Sequence, residues 1–149
     1  MARLPDLDLD LRRLTPTVRA AFRLTSERHT LDHLLREVGI EGAVTWQKGE
    51  SIASTALQRR TNGWCFELPP QRTYMLDDAL TQLLHALAPH RDQIVALSRA
   101  LELDAHVALD TDIYEDRVPT GYLSPANVKA IATYGASLGT EIHLAEPNG

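Results

Sequence analysis

Apolar and polar residues alternate from Thr17 to Thr25, where Val18, Ala20, Phe22 and Leu24 interleave with Arg19, Ala21 and Arg23. That period of two predicts a strand with one buried face. The spacing then lengthens. Leu31, Leu34, Leu35 and Val38 fall on one helical stripe, with Thr30 placed to cap it and Gly39 where a left-handed C-terminal residue is wanted, so a short helix is predicted. Ala43-Val44-Thr45-Trp46-Gln47-Lys48, ended by Gly49, and Gly63-Trp64-Cys65-Phe66-Glu67-Leu68, ended by Pro69-Pro70, are rich in β-formers and predict two strands of one hairpin. Their connection, Glu50 to Asn62, exceeds most hairpin loops, and loops of that length are often functional or mobile.

Leu76, Leu80, Leu83, Leu84 and Leu87 repeat at helical spacing behind the acidic start Asp77-Asp78. Pro89 interrupts before Ile94, Leu97 and Leu101 resume the stripe, which predicts a kinked helix or two in tandem. Ala105, Val107 and Leu109 alternate with His106, Ala108 and Asp110 as a further strand, followed by an acidic loop through Pro119. Ser124-Pro125 supplies a cap and a first helical position, Val128 and Ile131 are expected to face the core, and Gly135 ends the helix. A last strand is expected over Gly139 to Leu144, with Ile142 and Leu144 on one face.

The predicted order is β-α-β-β-α-β-α-β, which opens with the split unit of ferredoxin-like folds. The expected class is therefore α+β: a ferredoxin-like β-α-β-β-α-β core with an added C-terminal helix and strand, its mostly antiparallel sheet covered by helices. The 149 residues suit one domain, since domains cluster near about 100–150 residues. Its expected extent is 17–146, after an N-terminal arm over 1–16 and before a frayed end at 147–149. The arm is ambiguous, because Leu7, Leu9 and Leu11 alternate like a strand while Leu4, Leu7, Leu11 and Leu14 fit a helical stripe.

Composition narrows the classes. Cys65 is the single cysteine, so no internal disulfide is available and a reducing compartment, the cytoplasm, is expected. No stretch approaches the roughly 18 apolar residues of a membrane span, and the N-terminus turns acidic at Asp6 where a signal peptide needs an apolar run. A net charge of −5, from 20 acidic against 15 basic residues, argues against a broad phosphate-binding face. Neither nucleic acid nor membrane is an expected partner.

The residues offer little catalytic chemistry. His29 and His33 have i, i+4 spacing, but Thr30 stands where a metalloprotease helix needs Glu. His85 and His90 flank Pro89, and His106 and His143 sit mid-strand. The stretch Asp110-Thr111-Asp112-Ile113-Tyr114-Glu115-Asp116 fails as a calcium loop, because its sixth position is Glu115 and its twelfth Gly121. No nucleophile elbow or phosphate loop is present, and the carboxylate pairs Glu37/Glu41 and Asp77/Asp78 are what helix ends ordinarily carry. No catalytic residue, metal ligand or cofactor is predicted.

What stands out is a pair of tryptophan segments. Trp46 and Trp64 are the only two tryptophans in a chain with 5% aromatics. If their strands pair, the rings can lie near each other, with Lys48, Glu50 and Asn62 at the hairpin's open end. Either the rings fill the core or they form a recognition patch, since Trp is enriched at binding hot spots. With the acidic stretch, the candidate binding residues are Trp46, Lys48, Glu50, Asn62, Trp64, Asp110, Asp112, Glu115 and Asp116.

The strand, the short helix, Trp46-x-Lys48-Gly49-Glu50, Gly63-Trp64, the long Leu-rich region and Gly135-Ala136-Ser137-Leu138 together resemble a bacterial family catalogued as domain of unknown function 4279. The resemblance runs from Thr17 to Leu144. The long connection between the Trp segments and Gly139-Thr140-Glu141 depart from its pattern. That family has no established activity or catalytic residues, so the resemblance implies no catalytic assignment. By analogy with small bacterial immunity proteins, the expected function is a non-enzymatic protein-binding module, an immunity-type inhibitor of a toxin with a basic surface. The alternative is a small-ligand sensor or enzyme whose pocket, between sheet and helices, is lined by Trp46, Trp64, His106 and His143. Self-association through the Leu-rich arm, as a homodimer, is a third reading.

Overall fold

The computed structural model describes residues 12–146. Along it run β1 (Thr17–Ser26), α1 (Leu34–Glu37), β2 (Val44–Trp46), β3 (Asn62–Glu67), β4 (Gln71–Arg72), α2 (Leu76–Leu87), a 3-10 turn (Ala88–His90), α3 (Arg91–Ala100), β5 (Asp104–Tyr114), α4 (Pro125–Thr133) and β6 (Ala136–Ala145). The strands form one six-stranded sheet in the order β2-β3-β1-β5-β6, with β4 also on β1. Only the β5–β6 pair is parallel. This is a mixed α+β fold with a mostly antiparallel open sheet.

The alternation that predicts β1 also fixes which side is dry. Val18, Ala20, Phe22 and Leu24 are fully buried, and their register partners Thr111, Leu109, Val107 and Ala105 on β5 turn to the same side. Against them α2 lays the stripe Leu76, Ala79, Leu80, Leu83, Leu84 and Leu87, and all of these but Thr111 join one apolar core. Apolar area removed from water is what holds this layer down. Pro89 has no N–H to donate, and the chain answers with the 3-10 turn before α3 resumes and buries Ile94.

Several expectations shift by small amounts with physical reasons. The helix predicted from Thr30 shrinks to one turn: Thr30 is exposed, and His33 occupies the cap position without a side-chain bond. So short a helix gains little cooperativity, and burial of Leu31, Leu34 and Val38 is what pins it. At α4 the Ser124 Oγ does accept from Asn127 N–H at 3.2 Å, but Val128 is 52% exposed while Asn127, Ile131 and Tyr134 turn inward. Ile131 is thus buried as expected, and Asn127 takes the inward place expected of Val128. Asn127 Nδ2 donates to Asp77 Oδ1 and to Thr81 Oγ1, each at 2.8 Å, which ties α4 to the first turns of α2.

The long connection after β2 is more ordered than its length suggested. A Ser51–Gln58 bridge, Gly49 N–H to Arg59 O at 2.9 Å, Arg59 N–H to Glu50 O at 2.8 Å and Ile52 N–H to Leu57 O at 2.9 Å make it a narrow hairpin. The acidic loop is likewise mostly strand, because β5 continues to Tyr114 and only then turns at Glu115, which has φ 58°. Asp110 and Asp112 alternate there with buried Leu109 and Thr111, so a strand puts the carboxylates in water and the rest inside. β6 begins at Ala136, three residues earlier than expected. Of the proposed arm and frayed end, 1–11 and 147–149 lie outside the described residues; Leu14 is buried, and Arg72 donates to the carbonyls of Arg12, Arg13 and Thr15.

Candidate functional site

Strand alternation leaves a second sheet face, opposite the side that the apolar stripe of α2 covers. Ala21 and Ala108 on this side are buried yet stand outside the core cluster. Register builds the face row by row: Cys65, Arg23, His106 and Ser137 lie abreast, then Glu67, Ala21, Ala108 and Gly139, then Arg19, Asp110 and Glu141, then Thr17, Asp112 and His143. A trough of small side chains therefore crosses the sheet between two polar ridges.

One ridge is acidic. Arg19 donates from Nη1 to Asp112 Oδ2 at 2.7 Å and from Nη2 to Asp112 Oδ1 at 3.1 Å, the bidentate geometry that guanidinium and carboxylate favour. The Arg19 hydrogen bond holds the Asp112 carboxyl below its ordinary value, against a smaller opposing effect of burial. Asp110 and Glu141 are direct register partners on neighbouring strands, and like charges so placed repel. Glu141 Oε2 lies 3.4 Å from His143 Nε2. Arg19 thus neutralises Asp112, with Asp110 as its register partner beside them.

The other ridge is built on His106. The Ser137 hydroxyl lies 2.7 Å from His106 Nδ1, which holds the ring in place across the β5–β6 pair, and 3.4 Å from Ala105 O. Burial, reinforced by Arg23 and opposed by Asp110, lowers the His106 pKa. The ring lies against Gly139, where a Cβ would come within 2.9 Å of it. Burial raises the Cys65 thiol, with Arg23 opposing. That favours the protonated thiol, a poor nucleophile.

At the far rim Trp46 lies flat over Gly63, whose missing side chain makes room for the indole. The Arg59 guanidinium sits 4.3 Å from the ring centroid, which closes a cation–π stack. Asp32 accepts from Thr45 Oγ1 at 2.9 Å and Gln47 Nε2 at 3.0 Å and steadies the same strand.

The profile of a family described as a domain of unknown function (DUF4279) matches residues 16–145. The chain belongs to that family. No curated protein and no solved structure matches it. The DUF4279 region therefore takes in every described strand and helix named above, the open face included.

Within this DUF4279 domain the predicted binding residues divide. Trp46, Asp110 and Asp112 share the open face, Lys48 and Glu50 are exposed beyond its Trp46 rim, and Glu115 and Asp116 are exposed just past β5. Trp64 and Asn62 do not belong with them. Trp64 is 0% exposed in the core, edge-on to Phe22 at 6.4 Å, and Asn62 is buried with its Oδ1 accepting from Lys48 N–H at 2.9 Å. The two rings lie on opposite sides of the sheet because Trp46 pairs with Gly63 and Trp64 with Thr45, one register step apart. The four residues of the pocket reading are likewise separated: Trp64 is on the helix side, and His106 and His143 face positions six apart on β5, about 20 Å along the strand. The cavity lined by Ser26, His29, Glu102 and Asp104 includes none of them. Among the described residues no three His, Cys, Asp or Glu cluster as metal ligands, and no helix is long and apolar enough to cross a membrane.

Arg19, Arg23, Ser137, Gly139 and Glu141 were absent from the predicted set. Alternation alone put Arg19 and Arg23 opposite the core; register was needed to bring β6 beside them. The ridge has a pH signature. A carboxyl lowered in the folded state contributes stability fully present above its ordinary range and lost as pH falls through the folded value. Asp112→Asn is therefore expected to flatten the acid limb of a stability-versus-pH curve from urea titrations. Asp32, lowered by Gln47 and then Thr45, keeps its own part; an unchanged acid limb would refute the role given to Asp112.

Proposed function

We propose that the open sheet face is a protein-binding platform and that the chain is a non-enzymatic binding module, an immunity-type inhibitor of a toxin with a basic surface. The observation that carries this is the Asp110–Glu141 register pair, which keeps two like charges abreast on the face opposite α2, beside the Arg19–Asp112 pair. Such an arrangement costs stability in the isolated chain, and a lysine or arginine from a partner relieves it. The adjoining trough at Ala21, Ala108 and Gly139 admits close approach, and the Trp46–Arg59 stack offers an aromatic anchor at the rim. The free thiol of Cys65 suits a reducing compartment.

We further infer that the sheet is an elaborated ferredoxin-like core. Support comes from the spatial order β2-β3-β1-β5 with every neighbour antiparallel, to which β6 is added in parallel.

The test is capture of a basic protein from native host extract, then association kinetics at two salt concentrations. Electrostatic steering predicts a rate that falls with salt, and a fall of about tenfold on joint Asp110→Asn and Glu141→Gln substitution. A rate indifferent to both salt and these substitutions would sink the reading.

A further inference from the structure

We propose that β6 is the seam of a homodimer, in which two copies pair antiparallel along this strand about a two-fold axis at Ile142. β6 is the outermost strand, in unbroken register with β5 from Ala105–Ala136 to Tyr114–Ala145, and among the described residues nothing pairs with its other edge. Half of its backbone N–H and C=O groups therefore face outward, a ready template for a further strand. Three devices that commonly blunt such an edge are missing from Ala136–Ala145, which has no proline, no lysine and no bulge. On the helix side it also exposes Leu138, Ile142 and Leu144 to 37%, 51% and 76%.

The strand is complementary to itself in one register. Directly opposed residues of an antiparallel pair share a face, so a two-fold pairing brings even residues against even and odd against odd. Centring on Glu141 sets two glutamates against each other, and centring on His143 does the same for two histidines. Centring on Thr140 leaves Glu141 opposite Gly139. With Ile142 on the axis, Glu141 of each copy faces His143 of the other, Ile142 packs on itself, and Leu144 meets Thr140. The opposed segment runs from Gly139 to Ala145 in each copy. In the mildly acidic range where imidazoles carry charge, this complementarity of carboxylate to imidazole, on the strand that already holds Glu141 and His143 within 3.4 Å, selects a second copy as the occupant. The axis stands perpendicular to the sheet, so both helix layers lie on one side and the two open faces join on the other. The pairing does not depend on what the open face binds.

Light scattering and sedimentation of the chain alone, in mildly acidic buffer, test the proposal. The chain is expected to dimerise with rising concentration. Ile142→Lys puts like charges on the axis and is expected to give a monomer whose urea unfolding curve matches that of the unsubstituted chain at concentrations low enough for both to be monomeric, since that side chain is already half exposed. Glu141→Lys is expected to weaken the dimer by about tenfold or more, and adding His143→Glu to it to restore pairing. A chain that stays monomeric at every concentration, or a dimer that Ile142→Lys leaves intact, overturns the proposal. A swap that fails to restore pairing overturns the Ile142-centred register.

Discussion

Replacing Trp64 with Ala is expected to lower the unfolding free energy by about 3–5 kcal/mol, the range for emptying a large aromatic site in a packed core. Trp64 is wholly buried, meets Phe22 edge-on, and lies on the sheet side that α2 covers. Domains of this size hold about 5–15 kcal/mol in all, so the variant is expected to sit near the limit of folding. Trp46→Ala is expected to cost about 1–2 kcal/mol, since its half-buried ring loses the Arg59 stack and its contact with Gly63. Trp64→Phe is expected to fall between, because it keeps an aromatic ring and removes an indole N–H that has no acceptor among the described residues. Urea titrations of the three variants side by side give the comparison. Equal losses from Trp64→Ala and Trp46→Ala would contradict the assignment of one ring to the core and the other to the face.

The second large effect is expected at Gly63. Any side chain there overlaps the Trp46 indole, so Gly63→Val must drive the ring off the sheet and separate it from Arg59. The cost is expected to be about 1–3 kcal/mol, as for other insertions into filled space, and it stays moderate because the ring can swing toward solvent. Made in a Trp64→Phe background, the substitution leaves Trp46 as the only indole. Its fluorescence is then expected to shift to longer wavelength as the ring enters water. An emission maximum that does not move would show that the ring does not rest on Gly63. The same experiment bears on function, because a displaced Trp46 removes the aromatic anchor while leaving Asp110, Asp112 and Glu141 in place.

Residue pattern alone was enough for the strand at Thr17, the interrupted helices around Pro89, the Ser124 cap and the alternation of His106, Ala108 and Asp110. These are local: each depends on a period, a cap or a missing N–H within a few residues. The same locality explains the misplacements. Asp110 to Tyr114 reads as a loop by its charge, and pairing with Thr17 to Arg19 on β1 and with Glu141 to Ala145 on β6 makes a strand of it. Val128 and Asn127 are neighbours on one helix, and the rotation that buries Asn127 is set by Asp77 and Thr81, some fifty residues earlier.

For the candidate site the division is sharper. Composition and motif reading selected Trp46, Asp110 and Asp112, and these do share a face. The pairing of Trp46 with Trp64 failed for a reason no sequence period contains. Their strands are offset by one residue, and a one-residue offset sends side chains to opposite sides of a sheet. The neighbours that give the face its chemistry, Arg19, Ser137, Gly139 and Glu141, come from strands up to about 120 residues apart along the chain. Sequence by itself determined which residues alternate and therefore which can be wet or dry. Register, a long-range property of backbone hydrogen bonds, alone decided which of the wet ones stand together.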